Sequence, residues 1–336
     1  MITLAEVVGI VVLISLTLYA LGAGADFGGG VWDLLASGPR ARAQRELIAG
    51  AIGPIWESNH VWLILVVVVL FVAFPPAFAA ISIALHIPLT IMLIGIVLRG
   101  SAFVFRSYDS QTDRVQRRWS VIFAAGSVVG PVMLGVCAGA VASGTIRVNL
   151  DTGAVRTNFI SQWLAPFPFA IGVLTLALFA FLAAIYLTVE TTDPLLREDF
   201  RWRALWAAIC VGAAAFGSLF LSTTGAPLIR SGLAKQWWSM PFQILVGAAA
   251  LGAIVAVWFR QFQLARLLAV GQVTLIIWGW GLAQFPYLVE PDLTFTNAAA
   301  PENVLRMLLG ALAAGAVLLF PSLWCLLRVF KSAKNN

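Results

Sequence analysis

The stretch Gly53-Pro54-Ile55-Trp56-Glu57-Ser58-Asn59-His60-Val61-Trp62-Leu63-Ile64 runs straight into the apolar segment Leu65–Phe74, which stops at Pro75-Pro76. Four polar side chains in a row, Glu57 to His60, thus open one of the most apolar runs of the chain. In water they would be a helix cap. In lipid they are costly, and they mark a bundle interior, a partner or a water path. Composition decides between these settings. Of 336 residues, 61% are apolar and 11% charged, against about 45–50% and about 25% in soluble domains. So few charges cannot cover a water-facing surface of this size, which excludes a soluble enzyme. The net charge of +6 is scattered along the chain, which excludes a nucleic-acid module. Thirteen Trp suit the membrane–water interface.

At roughly 20–25 residues per span, this apolar content allows about eight to ten transmembrane helices. Nine are expected, near residues 4–25, 50–74, 77–99, 119–143, 165–189, 203–223, 240–259, 264–287 and 304–328. Pro75-Pro76 should turn the chain between spans two and three. The polar segments 145–162, 224–238 and 288–303 read as loops. The first run has no basic segment before it and carries Glu6, so it is expected to remain as a helix. With the N-terminus outside and the C-terminus inside, all Lys and Arg but Arg147, Arg156, Arg230, Lys235 and Arg306 fall on inner segments. Cys137, Cys210 and Cys325 sit in apolar runs with no C-x-x-C, as small buried hydrophobes do.

Polar residues inside spans carry the functional reading. In Gly24-Ala25-Asp26-Phe27-Gly28-Gly29-Gly30, Asp26 lies roughly 33 Å along span one, near its inner end. Gly24 and Gly28 form a G-x-x-x-G pair suited to close helix approach. Asp33 lies nearer the basic loop and is expected to snorkel. Glu57 is roughly 25 Å from the outer end of span two, at a similar inner depth. Glu57 and His60 are spaced to share a helix face, and a carboxylate beside an imidazole suits a proton relay. His86 falls near the middle of span three, where Pro88 frees a carbonyl, so a kink role is expected. A haem held by His60 and His86 is disfavoured by a depth mismatch of roughly 6 Å. Arg99 and Arg106 should snorkel at the inner end of span three, with one pairing to Asp26 or Glu57 open. Neither a catalytic constellation nor a metal motif is present in the sequence.

Taken together, the two motifs around Asp26 and Glu57, with Leu70-Phe71-Val72-Ala73-Phe74-Pro75 and Leu98-Arg99-Gly100-Ser101-Ala102-Phe103-Val104-Phe105-Arg106, resemble subunit II of cytochrome bd-type quinol oxidases. These motifs cover about the first 110 residues. Beyond them only the span count and length agree. Many members of that family have Asp in place of Glu57, Gly in place of Ser58, and no His at position 60. The resemblance implies an all-α integral membrane fold of nine helices. Residues 1–145 and 163–287 would form two four-helix bundles, with 303–330 a peripheral helix. It implies a heterodimer with a haem-bearing subunit I that holds haems b and d and the quinol site, in a bacterial or archaeal plasma (inner) membrane. Small accessory subunits, and a structural quinone or lipid on this chain, are further candidates.

On that reading the chain stabilises subunit I and contributes to a cytoplasmic proton path supporting quinol oxidation and reduction of oxygen to water. Glu57, Asp26, His60 and Asn59 are its candidate proton-path residues. Trp56, Trp62, Gly24, Gly28 and Arg99 are candidate packing or interface residues. The competing reading is a polytopic secondary transporter using buried carboxylates, and a third is a purely structural scaffold.

Overall fold

The computed structural model describes residues 2–52, 56–108 and 113–332. The chain is a sequence of helices with two small hairpins: α1 (Leu4–Leu34), α2 (Ala41–Ile52), α3 (Trp56–Asn59), α4 (Val61–Ala73), α5 (Pro75–Ala84), α6 (His86–Tyr108), α7 (Asp113–Val141), β1 (Arg147–Val148), β2 (Val155–Arg156), α8 (Pro166–Glu190), α9 (Pro194–Gly225), α10 (Pro227–Lys235), α11 (Ser239–Trp258), α12 (Phe262–Gln284), β3 (Tyr287–Val289), β4 (Leu293–Thr294) and α13 (Glu302–Ser332). Among the described residues, eight helices are long and apolar enough to cross a membrane: α1, α6, α7, α8, α9, α11, α12 and α13. A ninth crossing exists only if α2 and the segment Glu57–Ala73, which meet at 51°, count as one broken span.

Several helices differ from the sequence expectation. The first continues to Leu34, past the glycines. A capping box starts it: the Glu6 amide donates to Thr3 Oγ1, and the Thr3 amide donates to the Glu6 carboxylate. Span two is three helices rather than one. The run with Arg42, Arg45 and Glu46 is amphipathic and forms α2 on its own. Span three is also divided. Pro75 and Pro76 occupy the first turn of α5, where a missing N–H costs nothing, and the helix ends at Leu85 before α6 begins. Segment 224–238, expected as loop, contains α10, which packs on α9, α11 and α12.

Helix α1 is central. It packs against α4, α7, α8 and α12, while α7 also meets α6 and α8. Helices α8, α9, α11 and α12 close a ring of neighbouring contacts. The α1–α8 approach is close because the α1 glycines abut Phe179, and a side chain at Gly28 would overlap the Phe179 carbonyl and the Ala183 methyl. One apolar core follows from this contact, with Tyr19, Phe27, Phe179, Phe181, Leu182 and Phe200. A second core lies under the hairpins, around Val8, Phe74, Leu85, Val136, Ile146 and Val289. There the Ala300 amide donates to the Ala73 carbonyl at 2.8 Å, capping α4 and pinning the segment that leads into α13, which packs on α1 and α4.

Candidate functional site

The four-residue helix α3 ends at Asn59, and this early ending positions the site. Asn59 faces α1, in the space left where Gly22 has no side chain. Its Nδ2 donates to Asp26 Oδ2 at 2.5 Å. Asp26 is 4% exposed, so this amide bond serves a buried carboxylate. His60 is the turn between α3 and α4: its backbone N–H donates to the Glu57 carbonyl at 3.3 Å. Its ring sits half-buried between Tyr19, at 5.8 Å between centroids, and Phe27, at 6.0 Å. His60 keeps a helical backbone (φ −72°, ψ −17°) and its carbonyl accepts from the Ile64 amide at 3.1 Å, so Glu57 and His60 stay one turn apart. Glu57 is exposed on α3. Trp62 packs partly buried against the α1–α8 core. Trp56 heads α3, with its side chain outside the described atoms.

Arg99 does not snorkel. It is 1% exposed, inside the protein. Its guanidinium lies 4.8 Å from the Phe27 ring centroid and 5.2 Å from that of Phe123, a cation–π sandwich. It also interacts electrostatically with Asp26 and Tyr19. Among the described residues, its Nε and Nη2 have no hydrogen-bond partner. Helix packing explains the burial. A side chain at Gly126 on α7 would meet the Arg99 backbone and Cβ, so the two helices approach where Arg99 leaves α6. Buried cation, buried carboxylate, amide, imidazole and phenol therefore meet at one place, with two guanidinium nitrogens still open to a polar guest such as water.

Arg106 pairs with neither Asp26 nor Glu57. Its Nη1 contacts both Asp33 oxygens at 3.1 Å. Asp33 is 2% exposed, so it is a buried ion-pair partner and not a snorkelling acid. His86 is not at mid-span. It heads α6, with Nδ1 3.0 Å from the Ile83 carbonyl and its ring 5.2 Å from Phe159 in the loop after β2. The two histidines thus have separate neighbours, and their surroundings do not fit a shared haem. The described residues bring no three His, Cys, Asp or Glu together as a metal site.

The model of the family described as cytochrome bd terminal oxidase subunit II matches residues 4–330. The chain belongs to this family. As a cytochrome bd subunit II it is part of an oxidoreductase complex, a bd-type quinol oxidase, and the transporter reading is not favoured. It is 26% identical to cytochrome bd-I ubiquinol oxidase subunit 2 of Escherichia coli (strain K12) over 326 residues, covering 87% of this chain and 85% of that one. It is 34% identical to cytochrome bd ubiquinol oxidase subunit 2 of Bacillus subtilis (strain 168) over 93 residues, covering 28% and 27%. In fold it matches the bd oxidase of Geobacillus thermodenitrificans with a TM-score of 0.81, at 20% identity over 98% of this chain and 99% of that one.

Sequence reasoning missed three aromatic residues and one acid. Tyr19, Phe27 and Phe123 frame the site but look like ordinary core residues in sequence. Glu290, between β3 and β4, is 1% exposed, and neither carboxylate oxygen has a partner among the described residues. It lies in a segment that hydropathy marks only as loop. Burial raises its pKa from an ordinary 4.5 to about 7.

Proposed function

We propose that this subunit II holds a proton-conducting path at the α1–α3 contact and supports a haem-bearing subunit I as a heterodimer. The observation that carries the reading is the Asn59–Asp26 hydrogen bond beside buried Arg99. A buried carboxylate with an opposite charge nearby can keep its proton mobile, provided that water reaches it. Protons enter at exposed Glu57 and pass to Asp26 through water ordered by Asn59 and His60. The open guanidinium nitrogens of Arg99 order the water between these groups. No residue of this chain is catalytic. Haems b and d, quinol oxidation and oxygen reduction belong to the partner.

The same reading takes the bent pair of α2 and Glu57–Ala73 as the ninth span. It puts the N-terminus outside and the C-terminus inside, with Asp26 and Glu57 toward the cytoplasm. Residues 1–145 and 163–287 are then two four-helix bundles and 303–330 a peripheral helix. The ring formed by α8, α9, α11 and α12 supports the second bundle, and the packing of α13 on α1 and α4 supports a peripheral place. The membrane is a bacterial or archaeal plasma (inner) membrane. Small accessory subunits, and a structural quinone or lipid bound to this chain, are compatible with its exposed apolar faces.

Glu57→Gln tests the entry residue. In the assembled complex it should lower oxygen consumption about tenfold, within the range that positioned proton transfer supplies, while Glu57→Asp should be milder. Normal turnover of the Gln variant at every pH would remove Glu57 from the path.

A further inference from the structure

At the end of the bundle that carries the α1 C-terminus, a cavity of about 480 Å³ opens between the end of α8, the first turn of α9 and the turn joining α11 to α12. Its walls include Thr188, Arg197, Arg260, Gln263 and Leu264. Two guanidinium groups face one space. Arg197 donates from Nε to the Thr188 carbonyl at 3.1 Å and from Nη2 to the Thr191 carbonyl at 2.5 Å. Both partners are neutral, so these bonds fix the group without cancelling its charge. Arg260 touches Glu198 only at 3.4 Å and is 64% exposed. Glu198 is shared with Arg201, with which it also pairs.

A smaller neighbouring cavity of about 290 Å³ makes the contrast. There Arg40 makes two hydrogen bonds to Asp199, and Arg203 donates to Gln44 Oε1 at 2.6 Å. Arg40 is answered there by a close carboxylate, whereas Arg203 bonds a neutral amide and its Nη1 has no partner among the described residues.

The surroundings of the larger cavity fix its depth. Trp258 and Phe259, at the end of α11, are 55% and 69% exposed, and Trp202 on α9 is 48% exposed, as in an aromatic belt at headgroup level. Below the rim, Leu264 and Leu267 are 44% and 68% exposed along α12, an apolar wall that continues from the charged mouth toward the hydrocarbon. A site with two guanidinium groups, one held by neutral carbonyls and one in a long contact with a shared carboxylate, above an apolar slope matches a phosphate ester carrying acyl chains.

We propose that this cavity binds the headgroup phosphate of an anionic phospholipid, held by Arg197 and Arg260, with a chain lying along Leu264 and Leu267. The test uses the whole oxidase complex, stripped of lipid in detergent and titrated with phosphatidylglycerol, phosphatidylcholine or inorganic phosphate, with bound species counted by native mass spectrometry. Phosphatidylglycerol should outcompete phosphatidylcholine for one saturable site. Arg197→Gln and Arg260→Gln should each weaken that site about fivefold, whereas Arg156→Gln, in the β1–β2 hairpin, should not change it. Arg260 is exposed, so its variant keeps the test valid if Arg197→Gln fails to assemble. Inorganic phosphate binding as tightly as phosphatidylglycerol would overturn a lipid assignment. Equal phosphatidylglycerol binding by the wild type and Arg260→Gln would overturn the site.

Discussion

Arg99 and Arg201 are both buried arginines, at 1% and 5% exposure, and the protein treats them in opposite ways. Arg201, on α9, is saturated. Its Nε and Nη2 donate to the carbonyls of Val257 and Trp258 at 3.0 Å each, and Nη1 pairs with Glu198. It caps the end of α11, supplying donors to carbonyls that the helix leaves without partners. Both lie against two aromatic rings, but Arg99, on α6, keeps two nitrogens without a partner among the described residues, beside a buried acid. A group that only stabilises would be expected to have its hydrogen bonds completed. The difference separates a helix cap in the α8–α12 ring from a polar interior at the α1–α3 contact that is built to hold something more.

Three substitutions would break or sharpen that contrast. The largest effect is expected at the site. Arg99→Leu removes the charge opposite Asp26 and should lower oxygen consumption per haem by an order of magnitude or more. If turnover stays normal while the complex only loses stability, Arg99 is as structural as Arg201. Arg201→Leu should do the reverse. It orphans two carbonyls, leaves Glu198 its longer contact with Arg260, and should destabilise the assembled complex by about 3 kcal/mol, seen as a lower Tm, while turnover of the surviving complex stays within about twofold.

The smallest effect is expected at Glu290, a buried group in neither region. Its folded pKa of about 7 lies above the ordinary 4.5, so the folded state favours the proton. The stabilisation is complete below about 4.5 and is lost as pH rises through about 7. Neighbouring Asp292 is different. Burial raises its pKa, but the hydrogen bonds from Arg147 and the Val148 amide, with the Arg147 charge, outweigh that and hold it low. Glu290→Gln should therefore flatten the Tm between about pH 4.5 and 7 without changing turnover at pH 7. An unchanged slope would show that Glu290 gains its proton no more readily in the folded chain than outside it.

Much of the fold was legible because hydropathy reports where long apolar helices lie. The spans at 165–189 and 240–259 agree with α8 and α11 within a few residues. The breaks were not legible, because an average over 20 residues does not record where the backbone stops. Residues 50–74 and 77–99 are apolar enough for single helices, yet the chain interrupts them at His60 and at Leu85. That error moved His86 from a helix start to mid-span. At the site, Asp26 and Glu57 stood out because acids are rare in apolar runs. The place of Arg99 depends on Gly126, 27 residues later, which lets α7 come close, and such a long-range coincidence leaves no local pattern.

The central claim is that the buried acid–amide pair on α1 and α3 carries protons. Asp26→Asn tests it most directly: the assembled complex is purified, its haem content measured from the visible spectrum, and oxygen consumption reported per haem. The account predicts an unchanged spectrum and at least a tenfold loss of turnover. An unchanged spectrum with unchanged turnover would contradict it.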